Sequence, residues 1–305
     1  MTVTAATTSP VATPSSLVIA PRAAERPRRR RFRVRGNELA IIGSVIVVLL
    51  VLTAIVAPLV APYDPVKLSL TQRLRPPSTQ YFFGTDEFGR DIFSRVLFGA
   101  QISLQVAGTV ILLAAGVGVT LGAIGGYRGG RWDETVMRVS DIFMAFPDLV
   151  LAMALSAALG ANLTSAIIAV SIVWWPTYAR LVRGQILSLK QHAFVEAARG
   201  LGASEARIIA RHLLPNTLSP LLVRISTDVG YAILYTASLG FIGLGAQEPT
   251  PEWGRMVATG RAYLLDQWWY PTLPGLAIFL AVLGFTWVGD ALRDWLDPHL
   301  HGGNA

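Results

Sequence analysis

The interval Gln191-His-Ala-Phe-Val-Glu-Ala-Ala-Arg-Gly-Leu-Gly-Ala-Ser-Glu-Ala-Arg-Ile-Ile-Ala-Arg-His-Leu-Leu-Pro215-Asn216 is the longest polar, charge-bearing stretch between two strongly apolar regions. It reads as two short amphipathic helices joined by a bend. Residues 193–199 form the first. Gly200-Leu201-Gly202 makes the bend, because glycine reaches backbone angles that other residues avoid. Ser204 then suits an N-cap, Glu205 favours the positive helix start, and Pro215 ends the second helix. Phe194, Val195, Ala198 and Leu201 make one apolar stripe, and Ile208, Ile209 and Leu213 another. Helices this short have no core of their own to cover, so the stripes need another surface. The pattern predicts a docking element.

The rest of the chain explains where such an element would sit. With 305 residues, 52% hydrophobic and 15% charged, the chain is too apolar for an ordinary soluble domain. Its net charge of +7 comes from arginines clustered beside apolar runs, the mark of a membrane protein's basic loops rather than of nucleic-acid binding. The absence of cysteine excludes disulfides and thiolate chemistry, and four scattered histidines offer no metal-ligand spacing.

Residues 1–36 run from Thr, Ser, Pro and Ala into a basic block including Arg28 to Arg31, which predicts a disordered basic cytosolic tail. From there to residue 300 the pattern is a transmembrane domain of six spans, at about 39–61, 101–124, 138–160, 163–181, 218–242 and 271–291, each long enough for a hydrocarbon core of about 30 Å. The first ends near Pro58 and Pro62. The second carries Gly118, Gly122 and Gly126 four apart, a face for close helix packing in lipid. In the third, Asp141 and Asp148 share one face, with Arg138 one turn from Asp141 and able to pair with it. In the fifth, Arg224 and Asp228 sit four apart and pair with each other. Asp141, Asp148, Arg224 and Asp228 are candidates for a gate or a subunit contact. Trp174, Trp175 and Tyr178 suit an interfacial aromatic belt. The segment Ser238 to Gly245 reads as irregular. Asp86 to Asp91 lacks the acid spacing of a calcium loop and reads as an amphipathic lead into the second span.

Six spans put both termini on one side. The N-terminal tail, the 125–138 and 179–217 loops and the C-terminal tail together hold 18 Lys and Arg, against seven in the two long loops on the other face. The positive-inside rule therefore places the termini and the docking loop in the cytosol. Neither of the two lysines, Lys67 and Lys190, lies in a phosphate-binding loop, so the chain cannot cradle ATP itself. No hydrolytic pattern stands out.

Glu196-Ala197-Ala198, Gly202 and Leu214-Pro215 resemble the EAA signature of permease subunits in binding-protein-dependent ABC importers, with His212 where the general pattern has Ile. Phe83-Gly-Thr-Asp-x-x-Gly-Arg-Asp91 and Gly240-Phe-Ile-Gly-Leu-Gly-x-Gln-x-Pro-Thr-Pro-Glu-Trp-Gly254 are similar to the dipeptide/oligopeptide/nickel branch, and within it to the C-type subunit. The resemblance implies an all-α, six-helix type I importer permease, not an enzyme, with residues 183–217 as the cytosolic coupling loop. Glu196, Ala197, Ala198, Gly200, Leu201, Gly202, Ile208, Leu214 and Pro215 would contact the ATPase. It implies a B-type permease as the other half of the pore, one or two ATPase subunits holding ATP and Mg, an extracellular peptide-binding lipoprotein, and a di- or oligopeptide substrate. The setting would be a bacterial cytoplasmic membrane. Nickel or glutathione import is the alternative within the branch; a membrane-embedded enzyme or an ion-coupled carrier is the distant one.

Overall fold

An almost uninterrupted run of Leu, Ile, Val and Ala makes α1 (Arg33–Val60) a helix whose outer faces stay apolar and exposed. It belongs to an all-helical bundle seen in a computed structural model that describes Thr2 and residues 33–296. The basic tail therefore lies almost wholly outside the described residues. After a polar loop come α2 (Ile92–Arg128), α3 (Gly130–Met144), α4 (Asp148–Leu159) and α5 (Leu163–Leu189). The docking stretch holds α6 (Ala193–Gly200), α7 (Glu205–Ile208) and a π turn (Ile209–Leu213). Then follow α8 (Leu214–Ile242), α9 (Trp253–Gly260) and α10 (Trp269–Leu296).

Among the described residues, five helical runs are long and apolar enough to cross a membrane, and α3 with α4 would make a sixth. That pair is not the continuous helix expected over 138–160. It turns by 90° at the break between Met144 and Asp148. Pro147 accounts for the break, since its ring disfavours helical geometry in Phe146 and removes an N–H. The second span also starts earlier than expected, at Ile92, because the Asp91 side chain accepts the Ser94 N–H at 2.8 Å and caps the helix there.

The axis of the bundle is α5, packed chiefly against α2. A Cβ on Gly118 would stand 2.4 Å from the Trp175 carbonyl, and one on Gly122 would stand 2.3 Å from that of Ala179. Only glycine lets these backbones approach so closely, so the small-residue face read from the sequence is where α5 sits. This central place corrects the aromatic belt. Trp174, Trp175 and Tyr178 are buried because α2, α3 and α8 surround them, and Trp174 stands edge-on to Tyr235 at 5.1 Å.

Three further expectations change. Pro215 does not stop a helix: it lies directly after the π turn inside one 38-residue run, Glu205–Ile242, and the locally widened hydrogen-bond ladder accommodates its missing N–H. Arg138 pairs with Glu134 at 2.6 Å rather than with Asp141, whose partner is Arg180. The segment from Ser238 stays helical to Ile242 and turns only at Gly243.

Candidate functional site

The docking stretch is a frame with an unfinished outer surface. Val195, Ala198, Ile208 and Leu213 are buried against the bundle, so part of each predicted stripe is covered within the chain itself. Phe194 and Leu201 are not: they are 40% and 89% exposed. Glu196, Ala197, Gly200 and Gly202 are exposed beside them, as is Pro215, while Leu214 and His212 are half-buried. Gly202 has φ +80°, so the bend needs glycine there, whereas Gly200 is an ordinary helical residue. Ser204 caps α7 by accepting the Arg207 N–H at 3.4 Å.

Polar ties hold this frame to the bundle. Arg199 donates to the Tyr127 hydroxyl at 3.3 Å, and Arg128 pairs with Glu205 at 3.0 Å, both reaching the end of α2. Lys190 donates to the Gly126 carbonyl at 2.9 Å. Arg183 grips Asp133 of α3 with two N–H groups, at 2.5 and 2.7 Å. These contacts link α6 and α7 to the end of α2, and the end of α5 to α2 and α3.

Of the four intramembrane candidates, Arg224 and Asp228 pair as their spacing suggests, Nε to Oδ2 at 2.8 Å. The buried Asp228 also accepts the Tyr178 hydroxyl at 2.8 Å, a contact between α5 and α8 that the sequence did not disclose. Asp141 and Asp148 are exposed on either side of the α3–α4 break.

The opposite end of the bundle holds a cluster that sequence reasoning missed. The Asp86 carboxylate accepts the Arg90 Nε at 2.6 Å and lies 3.6 Å from the Arg95 Nε; all three side chains are buried. Arg90 reaches Glu248 at 2.5 Å, and Arg95 donates to the carbonyls of Pro65 at 2.9 Å and Pro249 at 3.3 Å. The two long loops are therefore clamped together. Trp253 inserts beside them and donates to the Val96 carbonyl at 3.0 Å. Glu252 caps α9 through the N–H groups of Gly254 and Arg255; burial pushes its carboxyl above the usual range, against the pull of those two bonds. The available signal was Arg90 at i+4 from Asp86, flanked by Gly84 and Gly89.

A bundle of apolar helices with one broken crossing, a buried clamp at one end and an unfinished loop at the other defines a membrane subunit built to work with others. Residues 118–302 match the binding-protein-dependent transport system inner membrane component family, and residues 28–77 match the N-terminal TM domain of oligopeptide transport permease C. The chain belongs to that family of inner membrane components: it is a multi-pass ABC importer permease, whose family works with ATPase and binding-protein partners. It is 50% identical over 269 residues to a probable D,D-dipeptide transport system permease protein, DdpC, of Escherichia coli strain K12, covering 88% of this chain and 90% of that one. It is 45% identical to the dipeptide transport system permease protein DppC of Alkalihalophilus pseudofirmus, covering 90% of each chain. It is 46% identical to the glutathione transport system permease protein GsiD of Escherichia coli O6:K15:H31, covering 88% of this chain and 89% of that one. Among solved structures, the inward-facing MetNI methionine ABC transporter shares the fold, with a TM-score of 0.55 at 19% identity over 68% of this chain and 98% of that one.

Proposed function

We propose that this chain forms one half of the pore of an ATP-driven importer of di- or oligopeptides in a bacterial cytoplasmic membrane. The substrate class is supported by relatives named for dipeptide transport at 45% and 50% identity. The other half of the pore is a B-type permease. One or two kinds of ATPase subunit hold ATP and Mg, and an extracellular lipoprotein delivers the peptide. Both termini and the loop 183–217 lie in the cytosol, as the Lys and Arg distribution argues.

The coupling role is carried by Leu201, 89% exposed on a helix pair whose neighbouring Val195 and Ala198 are buried. An apolar side chain held out on a rigid frame is the anchor a partner's groove requires. Phe194 and Leu201 fill that groove, Glu196 and Ala197 line its rim, and Gly202 sets the bend. Gly200 ends α6 on the exposed side, while Ala198, Ile208, Leu214 and Pro215 hold the loop to the long helix. ATP binding closes the ATPases and draws the loop with them. The ties to Tyr127, Arg128 and Asp133 carry the motion into α2 and α3, and the pore opens outward; hydrolysis resets it. Asp141, Asp148, Arg224 and Asp228 stand at the gate.

The test is Glu196→Lys in the reconstituted complex. Peptide-stimulated ATP hydrolysis and peptide uptake should part company, with uptake falling about tenfold or more, the equivalent of about 1.4 kcal/mol in coupling. Unchanged hydrolysis together with unchanged uptake would refute the coupling role.

A further inference from the structure

The carboxylates on α3, α4 and α8 find cations within the chain, with one exception. Asp133 is held by Arg183, Glu134 by Arg138, Asp141 by Arg180 and Asp228 by Arg224. Asp148, exposed at the first position of α4, has neither an ion pair nor a side-chain hydrogen bond among the described residues. The start of a helix favours a carboxylate by only about half a charge. The remainder is unanswered.

The break beside Asp148 lies deep. The Phe143 ring stands edge-on to that of Trp175, with centroids 5.9 Å apart. At 1.5 Å per residue, Trp175 is about 18 Å from the start of α5 and about 21 Å from its end. A hydrocarbon core about 30 Å thick therefore encloses the break. The helix turns by 90° there, and Ala145, Phe146 and Pro147 are exposed. Irregular backbone at that depth is tolerated only against protein or water, so lipid is not its cover. Ile142, Phe146 and Val150 around it are more than half exposed, and a wall so apolar disfavours water. Protein is left. The outer face of α1 differs in both respects: its helix is unbroken, it carries no charge between Glu38 and Asp64, and lipid can cover the exposed Ile55.

We propose that a membrane helix of the other permease seats on the α3–α4 break, apolar where it meets Phe146 and Val150 and carrying a lysine or arginine opposite Asp148. This rests on the two-permease reading above. A pore made of two halves closes where the halves meet, so Asp148 at the gate and Asp148 at the seam are one placement. The partner supplies the cation that this chain denies Asp148. Charge complementarity of that kind selects one partner and penalises others.

The test uses the full complex, with the other permease co-expressed, in lipid nanodiscs. The photoreactive residue p-benzoylphenylalanine replaces Phe146 in one sample and Ile55 in another, and mass spectrometry identifies the adducts after irradiation. Position 146 should give adducts to a membrane helix of the other permease, and position 55 adducts to lipid. Lipid adducts at position 146, or none there while position 55 reacts, overturn the seat alone. Adducts to a second copy of this chain overturn the two-permease reading, and the named occupant with it. Charge variants give a second measure that does not depend on fitting the bulky residue. Asp148→Lys should lower recovery of the other permease on this chain's affinity tag about tenfold, because it sets like charges together, and Asp148→Asn should lower it less. The melting temperature of this chain alone should be the same in both, since Asp148 has no partner within it. Wild-type recovery in Asp148→Lys overturns the pairing.

Discussion

At one end of the molecule Asp86, Arg90, Arg95 and Glu248 are drawn together and largely buried, while at the other the charges are exposed and two apolar side chains, Phe194 and Leu201, lack cover. The clamp closes within one chain. It ties the loop before α2 to the loop after α8 and leaves Trp253 buried beneath. The docking loop is fixed only on its inner side, through Val195, Ala198, Ile208 and Leu213. The lesson is that burial, not charge content, tells a finished region from half an interface. Charged residues are abundant at both ends; only at the clamp are they removed from water and paired.

The largest effect should come from breaking the clamp. Arg90→Ala takes from Asp86 and Glu248 the nearer of the two cations they share and leaves them Arg95 at 3.6 and 3.7 Å; removing one partner from a buried ionic cluster costs about 3–5 kcal/mol. The expected result is a strong fall in yield and melting temperature of the complex; a normal melting curve would show that the two loops are held by something else. A smaller effect should follow at the bend. Gly202→Val places a branched side chain at φ +80° with no neighbour to clash with, so the cost is backbone strain alone, about 1–2 kcal/mol. It should weaken ATPase association in a binding titration while leaving the bundle folded, and full affinity would mean that the bend tolerates another geometry. Smallest of all, Leu201→Ala should leave the melting temperature of the permease alone nearly unchanged, within about 0.5 kcal/mol, because an exposed side chain leaves no cavity behind. A large shift would mean that Leu201 packs against this chain after all.

The same contrast decides how much could be read from sequence. Short-range periodicity gave the glycine face of α2, the Ser204 cap and the Arg224–Asp228 pair, since each depends on residues three or four apart. The clamp was illegible because Arg90 and Glu248 are 158 positions apart and nothing local announces their meeting. The apolar stripe of α6 was read as one surface, yet the fold splits it, burying Val195 and exposing Leu201, because periodicity fixes a face but not its depth. Trp174 and Trp175 misled for a related reason: an aromatic near a helix end can meet headgroups or another helix, and here a crowded centre took them. The break at Pro147 was hidden inside a window whose average hydropathy suited a single span. Asp141 found Arg180 rather than Arg138 because α3 lies along α5, and Glu134 took Arg138 from four residues away on the other side.

The central claim is that the loop's uncovered apolar pair is the seat of the ATPase. The direct measurement is the affinity of the purified ATPase subunits for the membrane-embedded permease pair carrying Phe194→Ala and Leu201→Ala together, with melting temperature recorded in the same samples. Two anchors lost from an interface should weaken binding by about tenfold or more, with melting unchanged. Wild-type affinity in the double variant would contradict the account.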